Sequence, residues 1–229
     1  MADYVLVHGS FVGGDYWGET ASLLRAEGHR VAVIEQLTTS APDAAANGAL
    51  AKDLEIVEEA IAALDGPVAL VGHSSGGMVI TEFADHPRVG HTVYVAAYWP
   101  EGGQSILDLL GGGMPPWLEA LDDGTAQVVD DLDVRWKTLC ADVELGKVEG
   151  ALRAMRPTTL VDVATPSHAP EPRHPRTYVV CEHDQALPPA VQEMWAQRAD
   201  HVERLPSSHQ PMVSMPDRLA EVLGRITVG

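Results

Sequence analysis

Short apolar runs alternate with longer amphipathic patterns along most of the chain. Six runs have the pattern of strands, and the first of them is apolar almost throughout, as expected for a strand whose two faces are both covered. These predicted strands are "YVLVHG" (4–9), "RVAVIEQL" (30–37), "PVALVG" (67–72), "HTVYVAAYW" (91–99), "RTYVVC" (176–181) and the shorter "HVERLP" (201–206).

Helical periodicity fills most of the intervals between these strands. Within 49–66, for example, Leu50, Leu54, Val57 and Ile61 recur on one face before a terminating glycine. The other predicted helices are 16–29, 77–86, 189–199 and 216–226. Strands that alternate with helices predict an α/β protein with a mostly parallel sheet of about six strands and helices on both faces.

The alternation breaks between residues 100 and 170. Glycine- and proline-rich stretches here flank two short helical patterns, "PWLEALDD" (116–123) and "LGKVEGALRAM" (145–155). We interpret residues 1–229 as a single domain with a small helical cap inserted at about 100–170, after the fourth strand.

Composition narrows the classes of partner. The formal charge is −18, with only 15 Lys and Arg and no basic run, which excludes a nucleic-acid partner. No apolar run reaches the ~18 residues of a membrane span, and no basic segment precedes the first strand. We therefore expect a cytoplasmic protein without a signal peptide or membrane partner. Its oligomeric state stays open, a homodimer included.

The two cysteines and the absence of common cofactor motifs give no evidence of a redox or cofactor site. Cys140 and Cys181 have no CxxC spacing and are expected to be buried apolar groups. The chain lacks HExxH, a P-loop and GxGxxG, so no metal or organic cofactor is implied.

The third predicted strand runs into "GHSSGG", which fits G-x-S-x-G between a strand and a helix. That turn brings together the residues two before and two after the nucleophile, so both must be small. For Ser74 they are Gly72 and Gly76, whereas for Ser75 one would be His73. Ser74 is therefore the predicted nucleophile.

The predicted oxyanion hole consists of two backbone amides. The N–H of Ser75 opens the helix that follows the nucleophile, and the N–H of Ser10 lies in the "HGSF" loop after the first strand. A base and an acid must activate the serine. In the chain order serine, acid, histidine, we assign the acid to Asp184 in "CEHDQALP", in preference to Glu182, and the base to His209 in "SSHQPM".

These motifs, together with "YVLVHGSFVGGDYW" and "CEHDQALPPAVQEMW", resemble the plant methylesterase and hydroxynitrile lyase branch of the α/β-hydrolases. The resemblance covers the first and last thirds of the chain. It implies the α/β-hydrolase fold, with Ser74, Asp184 and His209 as triad and the amides of Ser10 and Ser75 as oxyanion hole. The lyases of that branch carry a threonine and a lysine at the positions of Gly9 and Gln210, so these two residues favour ester hydrolysis.

The expected activity is hydrolysis of a small, apolar or aromatic carboxylic ester through an acyl-enzyme. The alternatives are a lactonase or thioesterase with the same triad, a cofactor-free lyase, and a small-molecule binding protein with slow turnover. The expected pocket walls are Phe11, His73, Trp99, Met114, Trp117, Leu118, Trp136 and Met155.

Overall fold

In the computed structural model of the chain, residues 1–228 are described, with the side chains at 161 and 162 left aside. Six strands form one parallel sheet in the order β2-β1-β3-β4-β8-β9. They are β1 (Asp3–Val7), β2 (Arg30–Val33), β3 (Val68–His73), β4 (Val89–Val95), β8 (Arg176–Cys181) and β9 (His201–Leu205). The predicted fold class is thereby confirmed.

Helices cover both faces of this sheet because its strands are apolar on both sides. The helices of the core are α1 (Gly18–Ala26), α2 (Ala44–Asn47), α3 (Leu50–Ala62), α4 (Gly76–Thr81), α9 (Pro189–Ala196), α10 (Pro211–Ser214) and α11 (Pro216–Gly224), and short 3₁₀ turns occupy Gly14–Trp17 and Thr38–Ser40. On one face, Val5 and Leu70 pack with residues of α3, α4 and α9. On the other, Leu6 and Val71 pack with residues of α1 and α11.

The segment between β4 and β8 forms the cap. Its helices are α5 (Ile106–Leu109), α6 (Leu132–Leu139), α7 (Leu145–Arg153) and α8 (Leu160–Val163). It also contains a three-stranded antiparallel sheet of β5 (Leu118–Ala120), β6 (Thr125–Val128) and β7 (Thr158–Thr159), in the order β5-β6-β7. The cap is therefore a mixed structure rather than a purely helical one.

The prediction of a helix over 116–123 is wrong. This stretch contains β5 and the turn into β6, where Gly124 has φ +82° and the Leu121 N–H donates to the Thr125 carbonyl at 2.8 Å. Asp123 accepts hydrogen bonds from the N–H and the hydroxyl of Thr125. The Asp123-Gly124 pair thus forms a hairpin turn between β5 and β6, although the preceding residues have a short helical periodicity.

The fourth strand is displaced from its predicted span of 91–99. β4 ends at Val95, and the next residue, Ala96, has φ +42°, which turns the chain out of the sheet. Tyr98 and Trp99 consequently belong to a turn, and this change decides where their side chains lie. None of the helices in residues 1–228 combines the length and apolar character needed to cross a membrane.

One partly buried histidine near the start of β8 makes stability depend on pH. Both ring nitrogens of His174 are buried and have no hydrogen-bond partner among the described residues. Burial, reinforced by nearby His91 and Arg176, lowers the pKa of His174 to about 4. As the pH falls below 6.5, the ordinary pKa of histidine, this residue takes up a proton in the unfolded chain but not in the folded one. The free energy of unfolding therefore decreases between about pH 6.5 and 4.

We predict that His174→Gln reduces this acid-induced loss by about 1 kcal/mol, a figure that allows for partial solvent screening. Urea unfolding at pH 7 and pH 4.5 measures the loss for each variant. The same substitution at the exposed His201 is the control, and an unchanged loss in His174→Gln would contradict the assignment.

Candidate active site

The site lies where the strand order reverses. From β1 the chain crosses to β2 on one side, whereas β3 is followed by β4 on the other. The loops that follow β1 and β3 therefore diverge at the carboxyl edge and leave a crevice, which is where ligands bind in open parallel sheets. The "HGSF" and "GHSSGG" segments occupy these two loops.

A strained turn joins β3 to α4. Ser74 at its apex has φ +53°, a conformation that costs a non-glycine residue free energy. A Cβ atom at Gly72 would lie 2.8 Å from the Gly76 carbonyl oxygen, and one at Gly76 would lie 2.8 Å from the His8 carbonyl oxygen. This is the crowding that the G-x-S-x-G spacing predicts, and it places the serine hydroxyl at the crevice.

We predict that Gly76→Ala destabilises the protein by about 2 kcal/mol and removes most of its catalytic activity, because the clash is with backbone. Gly150→Ala is the matched control, since a Cβ there meets nothing within 4 Å on helix α7. Thermal unfolding and turnover of a chromogenic ester report both effects. Equal stability of the two variants would refute the steric argument.

Asp184 and His209 form the buried pair at the same edge. The His209 Nδ1 lies 2.7 Å from Asp184 Oδ2, and both side chains are almost fully buried. Asp184 Oδ1 accepts hydrogen bonds from the N–H groups of Ala186 and Leu187 at 2.8 and 2.9 Å. A carboxylate held in this way accepts the Nδ1 proton, so Nε2 is the nitrogen that can take up another.

Gln192 supports this carboxylate and was not identified from the sequence. Its Nε2 donates to Asp184 Oδ2 at 2.9 Å and to the Leu187 carbonyl at 2.7 Å, while its Oε1 accepts from the Cys181 N–H. The available signal is positional: Gln192 is a polar residue on the buried face of α9, which also carries Trp195 and Ala196.

His73 lies beneath the turn and connects it to the His209 loop. Its Nε2 donates to the His209 carbonyl at 2.9 Å, and the two rings have centroids 4.7 Å apart. Burial lowers the pKa of His73 well below its ordinary value, so it remains a neutral donor. His73 thus ties the backbone of His209 to the residue that precedes Ser74. The Ser74 hydroxyl has no hydrogen-bond partner within residues 1–228, so any proton transfer to His209 requires a closer approach in the substrate complex.

His8 has a similar structural environment. Its Nδ1 donates to the Gly9 carbonyl at 2.7 Å, and its Nε2 accepts from the Leu37 N–H at 3.0 Å. Burial lowers the pKa of His8. Both ring nitrogens are therefore engaged in fixing the loop after β1.

The cap contacts the histidine loop through Asp142. This carboxylate accepts hydrogen bonds from the backbone N–H and the hydroxyl of Ser208, the residue before His209. The Ser208 hydroxyl also lies within hydrogen-bond distance of the Leu139 carbonyl. A residue of the cap thereby fixes the position of the proposed base.

We predict that Asp142→Ala lowers kcat by about tenfold, because the histidine loop loses two hydrogen bonds and small displacements of reacting groups are costly. Steady-state kinetics on a chromogenic ester give the value. Asp122→Ala, on the turn between β5 and β6, is the control for loss of one cap charge. An Asp142→Ala enzyme as active as Asp122→Ala would show that this tie has no catalytic effect.

The two proposed oxyanion donors face each other across the crevice. Neither the Ser10 nor the Ser75 backbone N–H donates a hydrogen bond to any residue of 1–228. The loop that carries Ser10 is held by Phe11, which has φ +71° and whose carbonyl accepts the Arg156 N–H at 3.0 Å. Two unengaged amides beside a serine can stabilise a negative oxygen.

An apolar cavity of about 40 Å³ adjoins these groups. It brings together Ser74, Ser10 and Ser75 with four of the predicted walls, namely Phe11, Met114, Trp117 and Leu118. Further lining residues come from the turn after β4 and from the cap: Tyr98, Ile106, Leu110, Ala126, Thr158, Leu160 and Val163. The Tyr98 N–H also donates to the Ser74 carbonyl at 3.0 Å, which joins this wall to the nucleophile turn.

Other predicted walls lie elsewhere. Trp99 stacks on Tyr94 with centroids 4.3 Å apart and carries the Arg198 guanidinium 4.6 Å from its ring centroid, because the turn at Ala96 directs it away from the cavity. Trp136 donates its Nε1–H to the Val143 carbonyl at 2.8 Å within the packing between cap and core, where Met155 also lies. His73 is beneath the turn, as described above.

The comparisons with known proteins agree with this architecture. Residues 4–222 match the alpha/beta hydrolase family, and the chain belongs to that family. It is 30% identical to a carbendazim hydrolyzing esterase of Nocardioides sp., over 99% of this chain and 100% of the relative. It is 26% identical to methylesterase 1 of Arabidopsis thaliana, over 97% of this chain and 95% of the relative, which supports the resemblance to the plant methylesterase branch.

A solved structure also has the alpha/beta hydrolase architecture described above. The crystal structure of a pyrethroid hydrolase from Sphingobium faniae superposes with a TM-score of 0.83 at 27% identity, over 97% of this chain and 96% of the other. Both the core and the cap are therefore shared with that hydrolase.

Proposed function

We propose that the protein is a serine hydrolase that cleaves a small carboxylic ester through an acyl-enzyme on Ser74. The observation that carries the proposal is the buried Asp184–His209 pair, joined at 2.7 Å and held beside the strained turn of Ser74. The esterases and hydrolases among its relatives support ester cleavage as the reaction class.

In the first half-reaction, the Ser74 Oγ attacks the ester carbonyl carbon while His209 Nε2 takes up the hydroxyl proton. The carbonyl oxygen becomes negative and accepts hydrogen bonds from the amides of Ser10 and Ser75. The bond from the carbonyl carbon to the alcohol oxygen then breaks, and His209 returns the proton to that oxygen. Asp184 remains ionised and stabilises the imidazolium.

In the second half-reaction, water replaces the alcohol. His209 accepts a proton from the water as its oxygen attacks the acyl carbon, and the same amides stabilise the second tetrahedral intermediate. Collapse releases the carboxylic acid and restores the proton to Ser74. Each residue acts twice, so one arrangement serves both steps.

The cavity supports an apolar or aromatic acyl group. Aromatic and aliphatic side chains of the cap, among them Trp117 and Leu110, form most of its wall. Among the described residues, no arginine or lysine lines it, so an anionic substrate finds no counter-ion among them.

Two residues count against the lyase alternative. A side chain at Gly9 would place its Cβ 2.8 Å from the Ser74 Cβ, so the threonine typical of the lyases would displace the nucleophile. Gln210 lines a different cavity with Asp15 and Tyr16. The lysine position of the lyases is thus occupied by a residue directed away from the ester site.

We predict that Ser74→Ala lowers kcat/KM for aryl esters by about 10³-fold or more, because the covalent intermediate cannot form. A fluorophosphonate should add one label to the wild-type chain, and peptide mapping should place it on Ser74. Asp184→Asn should retain labelling at a strongly reduced rate. A wild-type chain that hydrolyses esters without labelling at Ser74 would exclude the mechanism.

A further inference from the structure

The two residues of the oxyanion hole are also joined through their side chains. The Ser10 hydroxyl donates to the Ser75 Oγ at 2.8 Å, across the crevice between the loop after β1 and the turn after β3. Both residues line the apolar cavity next to Ser74 and also a second small cavity that extends towards Thr39. The pair therefore stands at the junction of the two spaces.

Because Ser10 is the donor in this hydrogen bond, the hydroxyl proton of Ser75 is not used in it. Ser75 Oγ is the acceptor, so its own hydrogen must point elsewhere. Within residues 1–228 that hydroxyl donates to no protein acceptor, and the spaces it adjoins are the two cavities. A hydroxyl that accepts a hydrogen bond is also polarised towards donating one.

We propose that the Ser75 hydroxyl is a third donor to the oxyanion, beside the backbone N–H groups of Ser10 and Ser75, and that Ser10 is a positioning residue that orients it. This inference rests on the proposed serine hydrolase function. It assigns to two side chains a role that the G-x-S-x-G motif itself requires only of their main chains.

The chemistry favours a donor at this position. Negative charge develops on the carbonyl oxygen only as the Ser74 Oγ bonds to the carbon, so a fixed donor there stabilises the transition state more than the bound ester. A serine hydroxyl can rotate away, which would waste this interaction. The hydrogen bond from the Ser10 hydroxyl reduces that freedom, so the donor is preorganised although the Ser10 hydroxyl itself does not contact the substrate.

A purely structural role is the competing explanation. In that case the bond between the two hydroxyls only ties the loop after β1 to the turn at Ser74. Removal of either hydroxyl would then break the same tie and give the same loss. A third donor instead makes the two substitutions unequal, because the Ser75 hydroxyl contacts the reacting oxygen and the Ser10 hydroxyl does not.

The test compares Ser75→Ala, Ser10→Ala and the double variant with the wild type, with Ser22→Ala on the exposed face of α1 as the control. We expect Ser75→Ala to lower kcat by about 10- to 100-fold with KM little changed, and Ser10→Ala by a smaller factor of about 3 to 10. The double variant should match Ser75→Ala, since Ser10 acts through Ser75. Inhibition by an aryl trifluoromethyl ketone, which forms a tetrahedral adduct, should weaken by the same factors as kcat/KM.

Labelling of Ser74 by a fluorophosphonate separates the possible failures. If the wild type is labelled but Ser75→Ala is as active as Ser22→Ala, the third donor is excluded while the serine mechanism stands. Equal losses in the two single variants would also exclude it, in favour of the structural tie. If the wild type hydrolyses esters without labelling at Ser74, both proposals fail. Circular dichroism and thermal unfolding of each variant identify any loss that comes from misfolding.

Discussion

At the carboxyl edge of the sheet, the backbone of the loop after β1 lies directly against that of the turn after β3, and the geometry of the candidate active site depends on this contact. Gly76 packs against the His8 carbonyl, and Gly9 packs against Ser74, with no space for a side chain at either glycine. The turn at Ser74 and the loop after β1 are thereby pressed together, although the chain between them includes β2 and α3. This contact brings the Ser10 amide, the Ser75 amide and the Ser74 hydroxyl to one place. The strain at Ser74 is sustained by the parallel pairing of β1 with β3.

Three histidines at this edge have different environments, and the differences assign their roles. His8 and His73 are buried without a carboxylate partner, and burial lowers the pKa of each. Both therefore stay neutral and act as fixed hydrogen-bonding groups. His209 alone of the three is hydrogen-bonded to a buried carboxylate, which fixes the orientation of its ring. The hydrogen bond from the neutral His73 to the His209 carbonyl holds the backbone of the third histidine.

The features predicted from the sequence are those that local patterns specify. Continuous apolar runs located the strands of the core sheet, and the small residues around Ser74 identified the turn. In the cap, the helix predicted over 145–155 is observed as α7, whereas the Asp-Gly turn at Gly124 outweighed the apparent helix over 116–123. The prediction that Trp99 lines the substrate cavity was wrong, because the backbone turn at Ala96 directs its side chain towards Tyr94 and Arg198 instead. Gln192 and Asp142 act through contacts between distant segments, which a single sequence does not display.

The cap holds two loops of the candidate active site in position, in addition to covering it. It holds the histidine loop through Asp142 and Ser208, and it holds the loop after β1 through the hydrogen bond from the Arg156 N–H to the Phe11 carbonyl. The same segment supplies Trp117 and most of the apolar wall. Pocket shape and the geometry of the reacting groups therefore depend on one set of contacts. The two hydrogen bonds and the cap residues of the wall thus come from one continuous segment between β4 and β8.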